Sequence, residues 1–400
     1  MNSLSQNKKI IYVVAGAIVL TLLGFLAYRF LLAPAGEQTT TTGGEITGGR
    51  LPNVSTNGEV VTPTGEASKI AEIEALKPGE TTETAPEQTL TRLTDYPVIS
   101  PSLNTAENKI LFYKKDGGDL LSLNFDGTEE EKVSNVTIVG LLEAFWSGNR
   151  DKAGVFYLDG ETLKGFLYLG ESGVAVLPQN IKSFSWSPDG KSLAYLLPKD
   201  ARLDLVIADS SGKNAKTVFS TPILDSQIKW ITSDKLAFQT APSASADGFI
   251  FVYSRASGSF TRIAGPTRGL TSLWSPDGSR AIIKDAGTKN PSQLIGGSGE
   301  LLGTMSFATL PEKCSWAGNK KLYCAVPRGG MDGIVMPDQY LRGEINTQDQ
   351  IIFYDTDKKE GLTVFNEGVF DISDLRISKD EKYLFFVDRK DGTLWSLKIR

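Results

Sequence analysis

Cys314 and Cys324 are the only cysteines in this 400-residue chain, and it contains no histidine. Without imidazole there is no usual general base, no usual nitrogen ligand for zinc, and no serine–histidine or cysteine–histidine nucleophile. Two thiols alone do not make a zinc site, and no CxxC redox pair exists. What the thiols can do is pair with each other. They flank the segment SWAGNKKLYCAV, where pairing Trp316 with Leu322 would set them opposite one another on adjacent strands. A disulfide is expected in an oxidising compartment; the alternative is two buried free thiols.

A second group with chemical potential is Asp338, Tyr340 and Arg342, inside the long link PRGGMDGIVMPDQYLRGEINTQ (residues 327–348). This polar and aromatic set suits contact with a protein or saccharide. The competing expectation is a structural flap over a channel mouth. Asp355-Thr356-Asp357 lacks the oxygen-ligand spacing of a cation loop and reads as a hairpin turn. No metal, cofactor or catalytic residue is expected. The net charge of -5, with both signs interspersed, offers no electrostatic footprint for nucleic acid.

The elements that must position these residues follow from a repeat. Tryptophans recur at 146, 186, 230, 274 and 316, spaced 40, 44, 44 and 42 residues apart, the length of a propeller blade. Each ends a short apolar run and precedes a turn and a second apolar run, as in SWSPDGKSLAYLL and LWSPDGSRAIIK. Two further copies, around Ile99 and Ile377, carry isoleucine instead. Ser-Pro-Asp-Gly places proline second and glycine last, as a hairpin turn demands. Alternating segments such as LDLVIADSSG and GFIFVYSRASG add a third strand, and usually a fourth follows. The tryptophans are expected to pack between blades.

With its W-S-P-D-G-K hairpin once per blade, the sequence from 88 to 400 resembles the WD-like (WD40-like) propeller repeats of the TolB type. The resemblance implies an all-β propeller of four-stranded blades. Seven registers are countable, whereas the TolB propeller has six, so both numbers remain open here. No GxSxG elbow follows the repeats, so the peptidase half found with some propellers of this kind is not expected. The last copy, ending TLWSLKIR, lacks an outer strand, and QTLTRLT (residues 88–94) is expected to supply it and close the ring.

Ahead of the propeller, residues 10–28 carry no charge and would span about 28 Å as a helix, close to a hydrocarbon core of about 30 Å. Residues 1–9 are expected to be a cytoplasmic tail, 10–32 a transmembrane anchor, 33–87 a disordered Thr/Gly/Pro-rich linker, and 88–400 the propeller. Lys8 and Lys9 favour a cytoplasmic N-terminus and an extracytoplasmic propeller, in periplasm or at the cell surface. A cleaved signal peptide is the alternative. Residues 67–76 have helical periodicity but are too short to be stable alone. The expected function is a membrane-anchored, non-catalytic scaffold for a protein or cell-envelope polymer. The alternative is a carbohydrate-active propeller enzyme using channel-mouth carboxylates.

Overall fold

The computed structural model describes residues 88–134, 136–329 and 331–399. The expected anchor, linker and short helix lie outside the described residues. No helix among the described residues is long and apolar enough to cross a membrane.

The described residues form seven four-stranded antiparallel sheets, each taken in sequence order apart from one strand. Their inner strands are Val98–Leu103, Leu141–Trp146, Ser183–Trp186, Ser226–Trp230, Thr271–Trp274, Cys314–Ala317 and Ile372–Ile377, defining blades 1 to 7. The exception is the outer strand of blade 7. It is Thr89–Arg92, paired antiparallel with Leu394–Lys398 so that Leu90 faces Leu397 and Arg92 faces Trp395. The ring is thus closed by residues about 300 positions apart, as the missing outer strand of the last copy demands.

Seven hydrophobic cores hold the ring, each built from two neighbouring blades. Phe112 and Leu123 of blade 1 pack with Phe385 and Leu394 of blade 7, and Leu322 and Tyr354 of blade 6 pack with Ile282 and Leu294 of blade 5. The repeated tryptophans sit in these cores: Trp186 between blades 2 and 3, Trp230 between 3 and 4, Trp274 between 4 and 5. Two indoles also tie inner strands together. Trp146 Nε1 donates to Ser100 O (2.8 Å) and Trp186 Nε1 to Phe145 O (2.7 Å). Each such bond adds about 1 kcal/mol to the apolar burial.

The turn after each tryptophan explains its composition. Gly190 donates its N–H to Ser187 O at 2.9 Å with φ +66°, where a Cβ would be strained. Ser187 Oγ donates to Asp189 Oδ1 and accepts from Ser192 N, while Asp189 accepts from Lys191 N. These bonds hold the Asp189 carboxyl below its ordinary range. Three of the degraded copies keep the same hydrogen bond without glycine: Glu107 N to Asn104 O, Arg150 N to Ser147 O and Glu381 N to Ser378 O, with φ 60°, 61° and 54°.

Strand direction sorts the links onto two faces. The blade-to-blade crossovers share one face with the links between second and third strands, and hydrogen bonds join the two sets. Ile138 N donates to Gly117 O, Leu158 N to Gly140 O, and Arg389 N to Asp371 O. The Ser-Pro-Asp-Gly turns occupy the opposite face.

Candidate functional site

Cys314 and Cys324 are Cα partners in the register of the first two strands of blade 6, beside the Trp316–Leu322 pair. They form a disulfide with a Cα–Cα distance of 4.0 Å, buried among the core residues between blades 5 and 6. Residues 355–357 form a hairpin turn, Lys359 N donating to Asp355 O, and Asp357 pairs with Arg280 and Lys320.

The described residues of the link 327–348 form a cap on the crossover face with a small core of its own. Leu310, Met336 and Tyr340 pack with Met331, Ile334 and Ile345. Its helical turn Asp338–Leu341 brings the three expected contact residues together but aims them differently. Asp338 accepts from Ala244 N at 2.8 Å, fastening the link to blade 4. Tyr340 is only 4% exposed and is turned inward. Of the three, only Arg342 extends into solvent, where it pairs with Glu344. Lys289 of blade 5 adds an exposed pair with Asp332 at 2.9 Å. The link therefore reaches from blade 4 to blade 7.

Beneath Tyr340 lies a buried ionic cluster that sequence reasoning missed. Lys313 Nζ donates to Asp371 Oδ1 (2.8 Å), Tyr340 OH (2.9 Å) and Thr347 Oγ1 (3.0 Å), and lies 2.9 Å from Asp349 Oδ2. Lys313 is 1% exposed and both aspartates are fully buried. Tyr340 and Thr347 also donate to Asp371 Oδ1, and Asp349 accepts from Ile372 N. The Arg389 guanidinium lies 4.2 Å from the centre of the Tyr340 ring. Burial works against the Lys313 charge, but Asp349, Tyr340 and Asp371 overcome it and hold the ammonium above its ordinary range. Burial likewise opposes ionisation of Asp371, yet Lys313 and Thr347 hold it below the usual carboxylate range. At Asp349 burial prevails over Lys313 and pushes the carboxyl up. One ammonium serves two carboxylates and keeps Asp371 the more firmly ionised.

A second charged group lines the axial channel. Glu143 of blade 2 is pushed up to about 7 by burial and by Asp374, against the pull of Arg376. Both Asp374 and Arg376 belong to blade 7. Away from the channel, an open cavity of about 420 Å³ lies between blades 3 and 4, lined by Asp209, Lys216, Tyr253 and Arg255. Its Asp209 is already bonded to Ser211 and Asn214. Among the described residues no cluster of acidic or sulfur ligands could hold a metal ion.

These observations define the chain as a seven-bladed β-propeller closed by an N-terminal strand, with a cap over part of one face. No protein-family profile matches the sequence, and no curated protein resembles it. Among solved structures it is similar to oligogalacturonate lyase from Vibrio parahaemolyticus, with TM-score 0.54 and 12% identity, over 78% of this chain and 93% of that one. It is similar to the tricorn protease, with TM-score 0.51 and 13% identity, over 80% of this chain; it spans only 34% of that protein. TolB from Acinetobacter baumannii shows 15% identity over 68% of this chain and 64% of its own, with TM-score 0.42.

Proposed function

We propose that this chain is a non-catalytic scaffold that binds a protein partner on its crossover face, held outside the cytoplasm by residues 10–32 as a membrane anchor and 33–87 as a tether. The observation that carries this reading is where apolar side chains are exposed. Of the sixteen exposed large hydrophobic residues among the described residues, nine lie on the crossover face. Val136 and Val139 lie on the crossover into blade 2, and Leu142 and Leu158 at the ends of that blade's first two strands beside it. Ile223 and Leu224 lie on the crossover into blade 4, Val369 on that into blade 7, and Val335 and Leu341 on the cap. The other seven lie on outer strands, and none lies on the opposite face. Water-exposed apolar groups gathered on one face are what a partner would cover, and they favour a protein over a polar polymer. Arg342 supplies a charged rim beside Leu341.

The test is crosslinking in intact cells with the full chain and with a Val139→Asp, Leu142→Asp, Leu341→Asp variant. Exposed substitutions leave stability within about 0.5 kcal/mol, so a partner captured by the wild type and lost in the folded variant supports the reading. Equal capture by both rejects the crossover face. Protection of the propeller from protease added to spheroplasts rejects its extracytoplasmic placement.

The second reading is an enzyme of the carbohydrate-active kind, working in the channel. It is favoured by Glu143, whose titration near 7 suits a general acid, with the Asp374 carboxylate facing the same channel. The similar fold of a protein described as an oligogalacturonate lyase adds that such rings host chemistry. Cleavage of a uronic-acid or neutral oligosaccharide panel by purified protein, abolished in Glu143→Gln, would establish it; no cleavage by the folded protein removes it.

A further inference from the structure

Blades 3 and 4 differ from the rest of the ring in their charges. Residues 183–268 hold ten lysines and arginines against seven aspartates, in a chain whose net charge is -5. Each of the other five blades carries an ion pair of its own, such as Lys109–Glu129, Lys164–Asp159, Lys284–Asp285, Lys320–Asp357 and Lys382–Asp380. Blades 3 and 4 carry none among the described residues. Their aspartates on the Ser-Pro-Asp-Gly face are engaged in turns instead. Asp189 accepts from Ser187 Oγ and Lys191 N, and Asp234 from Ser254 Oγ and Ala256 N. Asp209 accepts from the hydroxyl and N–H of Ser211, from Lys213 N and from Asn214 Nδ2. Those bonds, Ser211's above all, hold the Asp209 carboxyl down at about 2 and occupy its oxygens.

The open cavity of about 420 Å³ between these blades gathers two of the unpaired cations. Lys216, on the outer strand of blade 3, has no ion pair and no hydrogen bond among the described residues. Arg255 reaches the cavity from blade 4, its guanidinium 5.0 Å from the centre of the Trp230 ring and donating to Ser233 O at 3.0 Å. These two contacts fix the guanidinium and leave most of its N–H groups free. Tyr253 also lines the cavity and is only 6% exposed, yet its hydroxyl has no hydrogen-bond partner among the described residues. The Ser192 hydroxyl, in the same lining, has none either. An enclosed hydroxyl without a partner is costly unless something in the cavity bonds to it. Ile207 and Val218 add an apolar wall.

We propose that this cavity binds a sugar unit carrying an oxyanion. Lys216 and Arg255 hold the carboxylate or phosphate, Tyr253 and Ser192 bond to ring hydroxyls, and Ile207 and Val218 cover the C–H face. A guanidinium fixed in this way pairs bidentately with either oxyanion. The volume falls in the range of small-ligand sites, about 300–1,000 Å³, and the unpaired cations of the two blades draw anions toward it. The cavity lies apart from the crossover face and from the channel, so it stands whether or not either of those has a ligand.

Calorimetric titration of the full-length protein in neutral detergent with D-glucuronate, D-glucose 6-phosphate, D-glucose, inorganic phosphate and N-acetylglutamate tests this. At least one of the two charged sugars should bind about tenfold or more tightly than glucose, and the tighter of the two identifies the oxyanion. Lys216→Ala removes a side chain that touches nothing, so it should leave the folding midpoint unchanged and weaken that binding about fivefold. Adding Arg255→Ala should bring the loss to about tenfold or more. Lys235→Ala, which removes an exposed cation of blade 4 outside the cavity, should change affinity by less than about twofold. The proposal is overturned if neither charged sugar binds more tightly than glucose, or if inorganic phosphate or N-acetylglutamate binds as tightly as the charged sugars. It is also overturned if folded Lys216→Ala binds as the wild type does, or if Lys235→Ala loses as much affinity as Lys216→Ala.

Discussion

Replacing Lys313 by methionine would remove the only ammonium in the cluster beneath the cap while keeping most of the side-chain volume. Lys313, Asp349 and Asp371 are at most 1% exposed, so no water is at hand to solvate the carboxylates left behind, and only Asp371 retains a cation, Arg389. The four contacts of the ammonium, with Tyr340, Thr347, Asp371 and Asp349, vanish together. Breaking a buried pair from one side costs about 3–5 kcal/mol. For a domain of this size that lowers the thermal midpoint by about 6–10 °C. Adding Asp349→Asn should recover part of the loss, because it removes the stranded charge, whereas Asp371 keeps the Arg389 guanidinium at 3.7 Å. As a control, Lys164→Met breaks an exposed pair with Asp159 and should cost under about 1 kcal/mol. Urea unfolding followed by tryptophan fluorescence, with trypsin cleavage in residues 327–348 as a second readout, measures both effects. The pH dependence has a definite sign. Asp371 is depressed, so its contribution is present above about pH 4 and is lost as pH falls through its folded value. Lys313 is raised, so its contribution is present below about pH 10 and is lost as pH rises beyond that. Asp349 acts oppositely, its raised carboxyl favouring the fold most in acid. A Lys313→Met variant within about 1 kcal/mol of wild type and equally resistant to trypsin would refute the reasoning.

Other expectations follow from single contacts. Reducing the Cys314–Cys324 disulfide, whose cysteines are 10 residues apart, or replacing both cysteines by serine, should cost about 2–3 kcal/mol in thermal melts. Leu90→Asp puts a charge into the core shared by blades 6 and 7. It should open the ring at the closing strand, and hydrogen exchange of Leu394–Lys398 should rise before that of the other blades; uniform exchange would count against closure through this strand. Glu143 is raised to about 7 in the folded chain, so its contribution to stability is full below about pH 4 and is lost as pH rises through 7. Glu143→Gln should therefore flatten the stability profile between pH 5 and 8, read from urea midpoints.

The ring was legible in the sequence because a blade is a local object. Its turn chemistry, its tryptophan and its alternating strands recur every 40 to 44 residues, and the missing outer strand could be counted. The cysteine pairing was legible for the same reason, since ten residues of hairpin fix the register. The cap was visible as a long link, but its chemistry was not. Tyr340 reads as a surface aromatic among polar neighbours, whereas the fold buries it against Lys313, 27 positions away, and Asp371, 31 positions away. Lys313 gave no signal at all, because a lone lysine before a strand reads as solvated. Nor do Glu143 and Asp374 form a motif: they are more than 200 residues apart, and the Asp374 charge acts on Glu143 only because inner strands of separate blades converge in the ring. Local hydrogen bonding and apolar periodicity thus determined the blades and their closure from sequence alone. Only the closed ring decided which charges are stripped of water and brought face to face, because burial and proximity are properties of the assembled circle.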